Sequence, residues 1–139
     1  MILLDTNVIS ALMRRDADDV VLTWLDSQPP ESIWTTSITV FEIRFGLEIL
    51  ASGRRRRALE DAFNAVIEQD FEGRIVGFDE DTAQAAARFA AERRRLGRTI
   101  ETRDVQIAGI AAARRAALAT RNVRHFDGLG LELIDPWSL

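Results

Sequence analysis

The chain opens Met1-Ile2-Leu3-Leu4-Asp5-Thr6-Asn7, four apolar residues running into an acid and two small polar residues. A short apolar run that stops at a polar cluster reads as a buried strand of a parallel sheet. Asp5 then stands at the carboxyl end of that strand, and Val8-Ile9-Ser10-Ala11-Leu12-Met13 continues as a helix. In open α/β sheets, chemistry gathers outside those carboxyl ends. Taken alone, Asp5 also suits a plain N-cap, its carboxylate accepting from the first N–H groups of the helix. Partners elsewhere in the chain have to decide between these two uses.

The rest of the chain alternates in the same way. Ser32-Ile33-Trp34-Thr35 is a β-prone run that leads into a helix through Phe41, Glu42, Phe45, Gly46 and Leu47. Thr39-x-x-Glu42 fits a capping box, which is one reading of Glu42. The other starts from Gly46, one turn further along the same face, because a helical Gly costs about 1 kcal/mol against Ala and suggests a close approach there. Arg54-Arg55-Arg56-Arg57 opens a helix with Leu59, Phe63, Val66 and Ile67 as its buried stripe; the cations read as a solvated face or as a phosphate-binding patch.

Residues 73–78 form a third short strand, and Asp79 caps the long helix behind it, with Glu80 and Asp81 placed for its dipole. Ala83, Ala86, Ala87 and Ala90 give that helix a small-residue face, and Arg93-Arg94-Arg95-Leu96-Gly97 ends it. A polar loop opens onto an Ala-rich helix that Thr102 can cap, leaving Asp104 in its first turn. Ala117-Leu118-Ala119-Thr120 is a fourth strand followed by Arg121-Asn122, and Leu131-Glu132-Leu133-Ile134 is a candidate fifth. Strands alternating with helices imply right-handed crossovers and a parallel sheet. Asp5, Glu42 and Asn122 then reach one edge from distant parts of the chain, and Asp104 joins them less directly.

Composition narrows the chemistry. The 139 residues suit one domain, 1–139, of ordinary hydrophobicity, 47% apolar and 29% charged. No apolar run approaches the roughly 18 residues of a membrane span, and the apolar start is too short for a signal segment, so the expected compartment is cytoplasmic. There is no Cys, hence no disulfide and no thiolate zinc site. All 18 Lys or Arg positions are Arg. This excludes a Lys-centred phosphate loop and Schiff-base chemistry, and weakens a phosphatase or receiver reading of the Asp after strand one. A single His leaves no pair for metal-free acid–base work. A net charge of −4 counts against a protein that only holds nucleic acid. What remains is carboxylates, which repel one another without a cation. Mg²⁺ or Mn²⁺ removes that repulsion, prefers oxygen ligands, and activates water for phosphodiester hydrolysis.

Met1-Ile2-Leu3-Leu4-Asp5-Thr6-Asn7, Thr35-Thr36-Ser37-Ile38-Thr39-Val40-Phe41-Glu42, Thr102-Arg103-Asp104 and Ala119-Thr120-Arg121-Asn122 resemble the four acidic-site segments of PIN domains. The likeness is greatest to VapC toxins of prokaryotic toxin–antitoxin pairs, FitB-like subgroup, and covers essentially the whole chain. It implies a three-layer α/β/α sandwich with a mainly parallel four- to five-stranded sheet and a homodimer. It also implies an Mg²⁺- or Mn²⁺-dependent endoribonuclease, held by a cognate antitoxin protein that carries it to operator DNA. Asp5, Glu42 and Asp104 fall on the metal-binding acids of the family. Thr6 supports Asp5, and Asn122 orients a water. Two departures stand out. Asn122 replaces an acid, and His125 precedes Phe126 where many relatives carry one. Asp127 is a possible substitute or a turn residue; His125 is a ligand or an idle loop residue. A catalytically weak module acting through antitoxin and operator complexes is the alternative that Asn122 leaves open.

Overall fold

The computed structural model describes residues 1–14 and 16–139. β1 (Ile2–Leu4), β2 (Ile33–Thr36), β3 (Ile75–Val76), β4 (Ala117–Ala119) and β5 (Leu133–Ile134) form one sheet in the order β3-β2-β1-β4-β5. Every pairing is parallel: Ile2 pairs with both Ile33 and Ala117, Thr35 with Ile75, and Leu118 with Leu133. The expected mainly parallel sheet is thus entirely parallel, with five strands. The strand order reverses between β1 and β4, so the fold's switch point lies between the strands that carry Asp5 and Thr120 at their ends.

α1 (Thr6–Leu12), α2 (Asp19–Asp26), α3 (Ser37–Glu48), α4 (Arg54–Ala65), α5 (Glu80–Arg95) and α6 (Thr102–Arg114) complete the sandwich. Adjacent leucines of β1 point to opposite faces, as a two-residue period demands. Leu4 packs with Val8, Ile9, Val21, Ile43 and Phe63 from α1 to α4. Leu3 packs with Ile107, Ile110 and Leu118 on the face covered by α5 and α6. This one strand therefore anchors both cores. The stripe expected after α4 continues beyond it, but Val66–Asp70 adopts a wider π-type turn that carries Val66 into the core.

Three local expectations change. Thr36, not Thr39, caps α3: its hydroxyl accepts from the Thr39 N–H at 3.1 Å, and Thr39 itself is buried inside the helix. Thr39 and Glu42 therefore form no capping box, which leaves the Glu42 carboxylate for other partners. Glu101, not Thr102, caps α6, accepting from Asp104 N–H at 3.1 Å. Gly46 meets no neighbour: a Cβ there would have nothing within 4 Å, so its face is open. Asp79 caps α5 as expected, and of the four consecutive arginines Arg56 pairs with Glu48 and Glu60 while the others are exposed.

The small-residue face of α5 meets α6 at Gly109. A Cβ at Gly109 would stand 2.6 Å from the Thr82 carbonyl oxygen and 2.7 Å from both Ala86 N and Ala86 Cβ. Backbone cannot step aside as a flexible side chain can, so this contact sets how deep α6 sits. We expect Gly109→Ala to destabilise the protein by about 1–3 kcal/mol through overpacking, despite the better helix propensity of Ala, as measured by urea denaturation. A variant as stable as the parent would show that the two helices can separate freely.

Candidate functional site

Asp5 is the centre of the site. It is 5% exposed, at the junction of β1 and α1. One carboxylate oxygen accepts from the Thr6 N–H at 2.8 Å, so the capping reading is correct. The other accepts from the Thr120 hydroxyl at 2.8 Å and from the Asn7 amide at 3.4 Å. The same Asn7 amide also lies 3.3 Å from the Thr120 hydroxyl oxygen, and the Asn7 carbonyl oxygen accepts from Arg121 N–H at 3.0 Å. These contacts tie the end of β1 to the end of β4 across the switch point. The cap uses one carboxylate oxygen, and the buried carboxylate finds further donors for the other.

Glu42, in α3, comes to Asp5 through Thr6, whose hydroxyl donates to Glu42 Oε1 at 3.2 Å. Thr6 thus serves both acids, by its backbone and by its side chain. The other carboxylate oxygen of Glu42 faces Arg103 Nη1 at 4.0 Å. Asp104, in the first turn of α6, lies 3.0 Å from His125 Nδ1 through Oδ2. His125 sits on a short 3-10 turn, Val123–Phe126, pinned by the buried Phe126. His125 is exposed, and its ring contacts Asp104. Asn122 is exposed and enters the network by its backbone, its N–H donating to Thr120 Oγ1 at 3.0 Å. Asp127 is exposed, and its carbonyl is taken by Arg93.

The three acids feel one another. Burial, with added repulsion from Asp104, pushes the Asp5 carboxyl above its ordinary value against the opposing pull of Thr120 and Thr6. Burial and the charge of Asp5 push Glu42 up. Burial pushes Asp104 up, opposed chiefly by His125. Among the described residues, no three acid or His side chains stand in an arrangement that would grip an ion directly. The expected three-carboxylate cage is therefore not closed. The donor set still suits a hard cation: oxygen donors only, crowded and raised in pKa. Mg²⁺ needs one or two carboxylates beside its waters, and Asp5 with Glu42 or Asp104 meets that requirement.

Asn7 is expected beside Asp5 from the first segment, whereas Thr120 and Arg103 are not among the site residues expected from the sequence. Thr120 carried a signal, a hydroxyl residue ending an apolar strand. Arg103 carried none, since its partner Glu42 is remote in the chain. Beside the acids, a groove of about 350 Å³ is lined by Thr6, Ser10, Met13, Glu42, Gly46 and Leu59. The open face of Gly46 forms part of its wall.

The profile of the PIN domain matches residues 2–130. The chain belongs to the PIN-domain family. This PIN chain is 37% identical over 138 residues to the VapC ribonuclease Y4jK of Sinorhizobium fredii, covering 99% of each. It is 35% identical over 137 residues to the toxin FitB of Neisseria gonorrhoeae, again covering 99% of each, so it falls among the VapC and FitB toxins of the family. The structure of FitAB bound to an IR36 DNA fragment superposes with a TM-score of 0.90 at 35% identity, over 100% of this PIN chain and 97% of the matched one. No helix among the described residues is long and apolar enough to cross a membrane.

The pKa pattern has a consequence for stability. Carboxyls raised in the folded state bind protons that the unfolded chain has already released, so their contribution to stability falls as pH rises from the ordinary carboxylate range through the raised values. Glu42→Gln removes one of the mutually repelling charges. In urea titrations without divalent cation, the variant should lose less stability than the parent as pH rises through the mildly acidic range. Parallel curves would mean that neither burial nor the neighbouring acids raise the Glu42 carboxyl.

Proposed function

We propose that this chain is the toxin of a toxin–antitoxin pair and acts as an endoribonuclease that hydrolyses RNA phosphodiester bonds with Mg²⁺ or Mn²⁺. The observation that carries this reading is the approach of three acids to one another: Thr6 bridges Asp5 and Glu42, and Asp104 stands close enough for its charge to act on both. Asp5 and one of the other two acids hold the ion. Thr6, Thr120 and Asn7 fix the Asp5 carboxylate, Thr6 fixes Glu42, and His125 fixes Asp104. Asn122, exposed and tied to Thr120 by its backbone N–H, is the group proposed to orient a water. Bound there, such an ion would lower the pKa of a water molecule and offset charge on a phosphoryl oxygen. The chain supplies no Lys and no second His, so the acids and their donors do the remaining work of positioning. Water is the nucleophile, so preference for RNA rests on shape and contacts, not on the 2′-OH as a reactant.

The proposed partners follow from the relatives. An antitoxin protein covers the toxin and brings it to operator DNA; the working unit is the 1–139 chain as a cytoplasmic homodimer. A second reading has one observation in its favour. Among the described residues no three acid or His side chains are grouped to hold an ion; on this second reading the chain would act chiefly as a binding module in the antitoxin complex.

Two measurements separate the readings. Purified protein should cut RNA when Mg²⁺ or Mn²⁺ is added and stop with EDTA. Asp5→Asn should lower the rate on the order of a hundredfold or more, since losing even a group that supports a metal ligand costs 10–100-fold. Expression without antitoxin should arrest growth, and Glu42→Ala should relieve it. Cleavage that persists in EDTA and in Asp5→Asn would refute the metal-dependent site, and harmless expression of the parent chain would favour the binding module.

A further inference from the structure

The acidic site has to receive a polyanion, yet its own groups are negative and the chain carries a net charge of −4. A phosphodiester approaching Asp5, Glu42 and Asp104 needs a cationic side chain at the same edge. The structure offers Arg103, immediately before Asp104 in the first turn of α6. Its Nε donates to Glu101 Oε1 at 3.3 Å, and Glu101 is itself fixed as the cap of that helix. Its Nη1 reaches over Glu42 at 4.0 Å, too far for a hydrogen bond. Its charge lowers the pKa of both Glu42 and Asp104. The side chain is 40% exposed, so the guanidinium is open to a ligand from solvent.

Resting on the ribonuclease reading, we infer that Arg103 is a substrate-binding residue that holds a phosphate of the RNA beside the acids. The guanidinium is anchored at Nε and free at its Nη end. A half-exposed ion pair at 4.0 Å is weak, so Glu42 gives up little when Arg103 turns to another anion. The planar fork of Arg matches two phosphoryl oxygens at once. Arg14 also lines the groove beside Thr6 and Glu42, but among the described residues only Arg103 is paired with an acid of the site. Two further arginines have other partners. Arg121 lies over the Trp137 ring at 4.8 Å, and Arg44 lies over Phe63 while donating to Asn64. Once the carboxylates share their charge with a divalent cation, the pull of Glu42 on Arg103 weakens further, and the incoming phosphate is the stronger partner.

The test compares the parent chain with Arg103→Ala and Arg103→Lys. Steady-state cleavage of RNA should show KM raised about tenfold in Arg103→Ala, the scale of a lost hydrogen bond to a charged group, with kcat changed much less. Anisotropy of a fluorescein-labelled single-stranded RNA oligonucleotide, measured with Asp5→Asn to prevent cleavage, should weaken to the same extent when Arg103→Ala is added. The slope of log affinity against log salt should also fall by about 0.7, the loss of one phosphate contact on a single strand. Arg103→Lys should keep the slope and recover part of the affinity. Mn²⁺ affinity, followed by the paramagnetic resonance of free Mn²⁺, should be equal or tighter in Arg103→Ala.

Unchanged KM and unchanged RNA affinity overturn the inference. So does a loss of Mn²⁺ affinity that accounts for the loss of activity, because Arg103 would then act only through the acids. A parent chain that neither binds nor cuts RNA removes the ribonuclease reading and Arg103 with it. A parent chain that cuts RNA while Arg103→Ala is indistinguishable removes Arg103 alone.

Discussion

A carboxylate buried where two parallel strands part company is the constraint on which this protein is built. Asp5 has almost no contact with water, so each of its oxygens must find donors within the chain. The Thr6 N–H, the Thr120 hydroxyl and the Asn7 amide supply them. Thr120 is 115 residues from Asp5 in the chain. Satisfying one acid thus fixes the register of β1 against β4 and the start of α1. The site is a by-product of closing the sheet at its switch point, and it shares the rigidity of the core.

Around that centre the molecule tolerates electrostatic tension. Asp5, Glu42 and Asp104 are all pushed toward their protonated forms by burial and by neighbouring negative charge, Asp104 by that of Glu101. Thr6, His125 and Arg103 relieve the tension only in part. Such clusters are costly as pure structure and are characteristic of sites tuned for a task. The same three relieving groups divide the labour spatially. Thr6 lies between Asp5 and Glu42, His125 lies on the far side of Asp104, and Arg103 spans the gap between Glu42 and the start of α6.

Packing remote from the site determines whether Asp104 belongs to it. No strand leads directly into α6, so its first turn is placed by the contact of its body with α5. Gly109 against Thr82 and Ala86 sets that depth. Phe126, buried beneath the 3-10 turn, then holds His125 against Asp104. Two hydrophobic cores, one on each face of the sheet, thus position one acid each: the α1–α4 side presents Glu42, and the α5–α6 side presents Asp104.

Much of this was readable from the chain itself. Met1-Ile2-Leu3-Leu4-Asp5 has the apolar run of a doubly covered strand, and the alternation of strands with helices allows only a parallel sheet whose carboxyl ends share an edge. Local rules also placed the Asp79 cap and the small face of α5. They failed for Thr39 and Thr102. Three hydroxyl residues, Thr36, Ser37 and Thr39, stand at the start of α3, and only the path of the chain leaving β2 shows which of them meets a free N–H. Glu101 caps in place of Thr102 because the helix already begins at Thr102, which leaves the extended residue before it as the cap. Whether Glu42 capped a helix or faced Asp5, whether His125 was idle, and whether Thr120 and Arg103 mattered depended on distances between residues far apart in sequence. Residue order determines periodicity and local hydrogen-bonding appetite; which distant groups meet is determined by how two helical layers pack onto one sheet, and no local pattern encodes that.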